Sequence, residues 1–536
     1  MKQVGFVSIK KDEEKFERLI ESVKSLNVPE GYSLNFWETM SEDGVAAAYE
    51  EARQASDADI NIYIDGEAYI VNQDMLYELT AIFDQDERIA VVGVLGSTYI
   101  PTSGILEESR RKYGSIINSA GEVEKGVGSM GNPVDVMAVE SFFVAVRGDI
   151  SWRNDLFSGE AFLVTALCVE YTRAAKRIVV ANTEKTWVSY NREYKKYSYY
   201  EKNNFLNEYS KDIYPLVSIL IPTFQRPEYF ELALNSAITQ TYRNLDIFVT
   251  DNSKDDRTAK LMEKYLAEDS RIVYEHHPEY TGFSDNWNRA FEYAESNKKS
   301  EYINWLMDDD LFDAKKIEKM VDCYISQDGV SLVTSHRQRI DENGKYLKDT
   351  AFTQPIIAKT GMIDGRCVGN AILTNCVNFI GEPTTVLMKK SLLEGRSRNW
   401  SGNEKNYSIT DFPTWLRLLE KGNMVYITDT LSFYRCHENQ GGSNPKTLAS
   451  GTICMALEIQ YAIKKHIYLE DSIDIKMAYV SWIGLACQIL RIHLVDAEGF
   501  DEKDKLNLQI IMKTLCDMSL YLADKGTENF VIDLMD

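Results

Sequence analysis

This sequence of 536 residues has no apolar run long enough to cross a bilayer. Its most apolar stretch, Met477 to Leu490, falls short of the ~20 residues a spanning helix needs and reads as a buried helix. The opening residues, MKQVGFVSIKKDEEKF, return to charge too soon for a signal peptide, which predicts none. No CxxC pair occurs. The eight cysteines stand singly at 168, 323, 367, 376, 436, 454, 487 and 516. That pattern gives a structural zinc site no support and reads as reduced, mostly buried thiols in a cytoplasmic protein. Basic residues are also short, 59 against 82 acidic ones, for a formal charge of −23. Such a balance argues against a nucleic-acid binder and against electrostatic attachment to anionic lipid.

What is present is ordinary globular composition, 44% hydrophobic and 26% charged, in a length that suits about three domains. Two segments, VGFVS at 4–8 and LVSILI at 216–221, open alike and are followed by a strand–helix rhythm. Strands are expected at 33–37, 60–64 and 90–95 in the first. In the second they are expected at 217–221, 246–250, 272–275 and 302–306. The rhythm predicts an α/β fold with mostly parallel sheets. Between the two, residues 191–214 are Tyr- and Lys-rich and read as a linker packed on a domain surface. From 445 onward, residues 449–467, 473–496 and 503–524 show helical periodicity with almost no Gly or Pro, which predicts a small all-α domain. The domains are thus expected at 1–190, 215–444 and 445–536.

Chemistry concentrates in the second segment. The apolar run ending Trp305-Leu306-Met307 delivers Asp308, Asp309 and Asp310 to the carboxyl edge of a sheet, where α/β folds bind ligands. Three adjacent carboxylates need a cation, and Mg²⁺ or Mn²⁺ suits hard oxygen donors. A solvated acidic turn capping the next helix is the plain alternative. A second strand carries Asp251 and Asn252 to the same edge, and Gly282 and Asn286 stand just before a helix start. Downstream come GEPTTVLMK from Gly381, ITDFPTWLRLLEKG from Ile409 and YRCH from Tyr434.

In this order and spacing the motifs closely resemble family 2 glycosyltransferases of the GT-A fold, over roughly residues 215–440. The resemblance implies that Pro222, Thr223 and Phe224 form the loop bordering the nucleotide. It makes Asp251 the acid that meets base or ribose. Asp309 and Asp310 become the metal-coordinating acids, and Asp308 completes a DxD pattern (Asp308-x-Asp310) on the nucleotide side. Met307 stands where many relatives carry a further aspartate, so the pair that meets the ion is left open. Asp411 falls where the family places its general base, although Thr410 replaces the usual preceding Glu. Asp411 would take the acceptor's hydroxyl proton in one inverting displacement. It also suits an N-cap, with Pro413 in the first turn. Glu382 opens the acceptor-side segment, and Trp415 is read either as a sugar-stacking face or as core. His437 is the one histidine in a motif position, where relatives meet the diphosphate or metal.

Residues 1–190 resemble a different GT-A-like branch, the glycosyltransferase-like family typified by a streptomycin-biosynthesis protein. FVSIKKDEEKFERLIESVKSL, VAAAYEEARQASDADINIYIDGEAYIVN, AVVGVLGSTYIPTSG and WRNDLFSGEAF carry that resemblance. Three departures stand out. Asp65-Gly66-Glu67 replaces a usual His-Gln-Asp, Val164 stands where an aspartate is usual, and Tyr190 where a histidine is. They predict a catalytically degenerate domain kept for acceptor binding or docking.

Together the resemblances imply two tandem GT-A-like domains and a helical tail. The implied activity is transfer of a sugar from a nucleotide-sugar, a UDP-sugar by default, to a protein or glycan hydroxyl with Mn²⁺ or Mg²⁺. The rivals are a non-catalytic glycan-binding scaffold and an enzyme with two active transferase sites. A nucleotidyltransferase would need a basic Gly-rich loop after the first strand, which Pro222-Thr223-Phe224-Gln225 does not supply. Sugar, acceptor and oligomeric state are not set by the sequence, and the tail could dimerise, close over the site or hold the acceptor.

Overall fold

The computed structural model describes residues 1–40, 42–128, 131–191, 197–279, 283–393, 411–437, 445–495 and 501–524. Gly282 and its neighbours 280 and 281 therefore lie outside the described residues. The chain divides into two compact units, Met1–Tyr214 and Pro215–Asp536.

The first unit is built on a sheet of seven strands. Its principal members are β1 (Lys2–Ser8), β2 (Tyr32–Glu38), β3 (Ile60–Ile64), β4 (Ile89–Gly93), β5 (Phe143–Val146) and β6 (Arg177–Val180). Their order is β2-β1-β3-β5-β4-β6, with the short strand Val134–Asp135 at the edge. β1 runs parallel to β2 and β3, and the register Val4↔Ile60 and Phe6↔Ile62 lays apolar side chains side by side. Only β5 reverses direction among the central strands, pairing antiparallel to β3 and β4. β3 and β4 are buried from end to end, as expected for strands covered on both faces.

The segment expected to be a linker folds as helix α1 (Tyr199–Ile213) and belongs to the first unit. Ser198 caps it, and Phe205, Leu206 and Tyr209 form its buried stripe. Its aromatic residues supply the apolar face that a free linker lacks: Phe205 stacks on Phe162 at 5.2 Å.

The second unit has one nine-stranded sheet. Its main strands are β7 (Leu216–Thr223), β8 (Leu245–Asp251), β9 (Ile272–His276), β10 (Ser300–Trp305), β11 (Val330–Ile340), β12 (Leu387–Lys389) and β13 (Asn423–Arg435). The order is β9-β8-β7-β10-β12-β11-β13, closed at the far edge by Leu311–Phe312. β7 pairs parallel with β8 from Val217↔Leu245 to Thr223↔Asp251 and parallel with β10 on its other side. β12 is the antiparallel insertion between β10 and β11. The carboxyl ends of β7, β8 and β10 therefore share one edge, and the motif residues gather there.

Among the helices of this unit are α2 (Gly365–Asn375), α3 (Asp411–Leu419), α4 (Pro445–Lys465), α5 (Ser472–Val495) and α6 (Glu502–Ala523). The last three do not stand apart. Ile453, Ile459, Trp482, Ile511 and Met518 lie in the same hydrophobic cluster as Leu220, Phe248, Trp305 and Trp415 of the sheet and α3. Trp482 Nε1 donates to the Thr452 carbonyl at 2.7 Å, and Ser481 Oγ to Thr374 O at 2.7 Å, tying α5 to α4 and α2. Met477–Leu490, expected to be a buried helix, is buried on one face only. Within α5, Ala478, Tyr479, Trp482, Ala486 and Ile489 are buried, while Met477 and Val480 are 49% and 60% exposed. Against the expectation of no spanning stretch, Ser472–Ile492 is long and apolar enough to cross a membrane by length and composition alone, a test that core helices and signal sequences also pass; 28% of that stretch is buried.

Candidate active site

The three consecutive carboxylates after β10 have three different environments. Asp308 is buried, and its Oδ2 accepts from the Thr223 hydroxyl at 3.0 Å and the Phe224 N–H at 3.3 Å. Burial first, and then the neighbouring Asp309 charge, push its carboxyl up to about 7. Asp309 faces a guanidinium and an imidazole: Arg226 Nη1 at 2.9 Å and His437 Nε2 at 2.9 Å, both on Oδ2. Asp310 is 2% exposed, and both its oxygens are held inside the fold. Thr384 Oγ1 donates to Oδ2 at 2.7 Å and the Arg435 N–H to Oδ1 at 3.0 Å. Burial raises the Asp310 carboxyl well above its ordinary value.

Asp310, expected as a metal ligand, has each of its oxygens held by one hydrogen bond within the fold. Its carboxylate braces the Thr384 loop and the end of β13 against the acidic turn. Asp309, with His437 Nε2 2.9 Å from its Oδ2, is the acid of the turn that faces other side chains across the site. Those donors suit Mg²⁺ or Mn²⁺, which need only one or two carboxylates when substrate phosphates complete the shell. Among the described residues no group of three or more His, Cys, Asp and Glu is placed to hold a metal ion by itself.

The nucleotide-side positions line the same edge. Pro222 and Thr223 end β7 in the interior, while Phe224 is 45% exposed beyond them. Asp251, at the end of β8, is fully buried. Its Oδ1 accepts the Ser253 N–H at 2.8 Å and its Oδ2 the Tyr274 hydroxyl at 2.8 Å. Asn286 bridges strand ends, donating to Thr223 O at 3.1 Å and bonding Thr250 Oγ1 through Oδ1 at 2.6 Å.

On the other flank, Asp411 opens α3. Burial lifts its carboxyl to about 6, and the Glu382 charge adds to the rise. Asn378 Nδ2 donates to Asp411 Oδ2 at 3.2 Å and also to the Gly381 carbonyl at 3.2 Å. Gly381 has φ +122°, a backbone conformation that favours glycine, and a Cβ there would press on Thr385 at 3.0 Å. Glu382 pairs with the buried guanidinium of Arg337 at 2.7 Å. Lys316, fully buried, donates to the Thr385 carbonyl at 2.9 Å, and burial lowers its ammonium well below the ordinary value. The segment from Asn378 to Thr385 thus touches Asp411 at one end and Asp310 at the other.

Trp415 is not on a sugar-facing surface. It is 0% exposed, and its Nε1 donates to the Gly381 carbonyl at 3.1 Å. An indole one turn into a helix that packs on the sheet satisfies core and loop at once, which corrects the stacking expectation. Asn378, Thr384, Arg337, Arg226 and Arg435 were not singled out from sequence. Each reaches its partner across a long stretch of chain, as Arg435 does to Asp310 over 125 residues.

In the first unit the acidic pair is already neutralised. Lys11 Nζ bridges Asp65 at 3.0 Å and Glu160 at 3.1 Å, and Lys15 pairs with Glu67 at 2.9 Å. The Tyr190 hydroxyl lies 3.5 Å from Asp65 Oδ2, its ring stacked on Phe142 at 4.6 Å. Val164 is buried in the core.

The comparisons with known proteins agree with this division. Residues 5–209 match the "Glycosyltransferase like family", and residues 218–393 match "Glycosyl transferase family 2". An uncharacterized glycosyltransferase of Rickettsia bellii is 32% identical over 25% of this chain, which spans only 19% of that relative's length. The putative teichuronic acid biosynthesis glycosyltransferase TuaG of Bacillus subtilis is 26% identical over 46% of this chain and 89% of its own. Among solved structures, S. aureus TarS 1-349 in complex with UDP-GlcNAc is 15% identical, with a TM-score of 0.38, over 56% of this chain and 81% of that one. The second unit belongs to glycosyl transferase family 2, and it follows a unit of the glycosyltransferase-like family.

Proposed function

We propose that the chain is an inverting, metal-dependent glycosyltransferase whose active site lies in the second unit and whose donor is a nucleotide-sugar, by preference a UDP-sugar. The observation that carries this reading is the Asn378–Thr385 segment, which fastens the base candidate Asp411 and the donor-side turn at Asp310 to one piece of backbone. Transfer needs those two groups held in fixed relation, because a single displacement joins acceptor and donor.

In this reading Pro222, Thr223, Phe224 and Asp251 border the nucleotide, with Asp308 fixing the loop through Thr223 and Phe224. Asp309, Asp308 and His437 would hold Mn²⁺ or Mg²⁺, which when bound takes up the charge that develops on the diphosphate. Arg226 already answers part of that acidic charge at Asp309. Asp411 accepts the acceptor's hydroxyl proton as its oxygen forms a bond to the anomeric carbon. The bond from that carbon to the diphosphate breaks, and its electron pair leaves with the nucleotide. Glu382, held by Arg337, faces the acceptor side. A protein or glycan hydroxyl is the acceptor class we favour. A cytoplasmic location accords with eight free cysteines. The first unit, with Lys11 lodged between Asp65 and Glu160, is read as a non-transferring partner domain.

Nucleotide release from a panel of UDP-, GDP-, CMP- and dTDP-sugars, with Mn²⁺ and with EDTA, tests the proposal without a known acceptor. Metal-dependent release from one donor, lost in Asp309→Ala, supports it. Silence across the panel together with no UDP binding favours a glycan-binding scaffold. Release that survives Asp309→Ala and falls in Asp65→Ala moves the active site to the first unit.

A further inference from the structure

Tyr434, next to last in β13, carries a hydroxyl that the fold does not use. Among the described residues that hydroxyl makes no hydrogen bond and the ring no aromatic contact, and the side chain lies outside the hydrophobic cluster of this unit. It is nonetheless partly buried. A phenol taken out of water ordinarily finds a partner, because an unmet hydroxyl forfeits its bonds to solvent. Others in the same unit do: Tyr274 donates to Asp251, Tyr293 to Asp246 and Tyr324 to the Leu387 carbonyl.

The pairing of β13 with β11 places this side chain. Arg337 lies opposite Ser432 and Arg339 opposite Tyr434 in parallel register, so Tyr434 shares a sheet face with Arg337. Arg337 in turn holds Glu382. The next residue, Arg435, gives its backbone N–H to Asp310 at 3.0 Å, which fastens the strand end to the acidic turn. Burial first, then the charges of Glu382 and Asp310, push the Tyr434 phenol well above its ordinary range, so the proton stays on oxygen throughout the neutral range. The site is thus offered a neutral donor among groups that, ionised, only accept. A sugar suits that mixture, since each of its hydroxyls both donates and accepts. A phosphate there would meet charge of its own sign. Because the strand end is fixed to the donor-side turn, the sugar in question is the one being transferred.

We infer that Tyr434 is a specificity-determining residue whose hydroxyl donates a hydrogen bond to a hydroxyl of the transferred sugar. The inference rests on the nucleotide-sugar reading above and adds to it the residue that tells the sugar-bearing donor from the bare nucleotide. Tyr434→Phe removes the donor and leaves the ring, so a sugar contact shows as a loss confined to ligands that carry the sugar.

Isothermal titration of the full chain with UDP-glucose, UDP-N-acetylglucosamine and GDP-mannose, and with free UDP and GDP, all in Mn²⁺, reads the proposal. Tyr434→Phe binds the preferred nucleotide-sugar about 3–10-fold more weakly than the unaltered chain, binds the free nucleotide equally well and melts at the same temperature. Singly deoxygenated analogues of that sugar locate the contact, because the one lacking the contacted hydroxyl is bound equally by both chains. Equal affinity of the two chains for the nucleotide-sugar overturns the inference. An equal loss for nucleotide and nucleotide-sugar overturns it too, since the ring then serves the nucleotide or the fold. A loss that persists with every deoxygenated analogue also overturns it. An unaltered chain that binds none of these ligands fails the nucleotide-sugar reading itself and the inference with it, an outcome distinct from binding that Tyr434→Phe leaves intact.

Discussion

The side-chain amide of Asn378 holds Asp411 and the Gly381 carbonyl at the same distance, 3.2 Å each. Asp411 is thereby oriented by a neutral donor and not by a cation. Arg337 stands close enough to lower its carboxyl pKa but spends its charge on Glu382. The balance leaves a carboxyl at about 6, high enough to accept a proton and low enough to be ionised at neutral pH.

Transfer should therefore rise as pH climbs through about 6, because the base must be deprotonated. The stability sign is opposite. A carboxyl whose folded pKa lies above its unfolded value of about 3.9 weakens the fold increasingly as pH rises from about 4 to 6. Asp411→Asn should abolish turnover yet raise the unfolding free energy at pH 7 by roughly 1–3 kcal/mol. Turnover assays paired with urea melts at pH 5 and 7 check both halves. A destabilised Asp411→Asn would show that burial does not set this group's chemistry.

Arg417 on α3 joins Glu458 of α4 in a buried ion pair, with Glu420 at 2.6 Å and the Tyr461 ring 3.6 Å from the guanidinium carbon. Removing Glu458 leaves the buried Arg417 guanidinium with Glu420 as its one carboxylate partner among those named. Glu458→Ala should cost about 3–5 kcal/mol, while the double change Arg417→Met, Glu458→Met should recover most of it. Chemical denaturation of the three variants decides. Equal losses in single and double variants would mean that the pair contributes net stability and not only specificity.

Gly369 in α2 faces the ring of Tyr468, which would lie 2.2 Å from an added Cβ. Tyr468 cannot retreat freely, because its hydroxyl donates to the Leu416 carbonyl on α3. Gly369→Ala should therefore lower stability by about 1–3 kcal/mol although alanine favours helices. Gly369→Ala combined with Tyr468→Phe tests whether that hydroxyl anchor enforces the clash. Partial recovery is expected in the pair, and a stabilised single variant would refute the packing account.

The strand ends that deliver Asp251 and Asp308–Asp310 were legible in sequence because each is an apolar run closing in acid, a local pattern. The helices after residue 445 were legible for the same reason. The roles within the acidic turn were not. Asp310 differs from Asp309 only because Thr384, 74 residues on, and Arg435, 125 residues on, take its oxygens. Trp415 was ambiguous since an indole at a helix start suits a sugar face or a core equally. Its contact with Gly381 settles the matter, and no local spacing encodes it. The aromatic-rich segment 199–213 looked like a linker because its partners Phe162 and Glu170 lie upstream in the first unit.

The hydrophobic cluster that runs from Leu220 and Trp305 through Trp415 to Trp482 and Met518 also determines where this chain tolerates being cut and rejoined. A junction between Tyr214 and Pro215 falls at the boundary of the two compact units and interrupts neither one's own sheet. A junction near residue 445 has no such freedom. It would bare the sheet-facing side of the second unit and leave three helices with nothing to pack on. Loss of the helices in evolution or in the laboratory would have to be matched by a rebuilt interior.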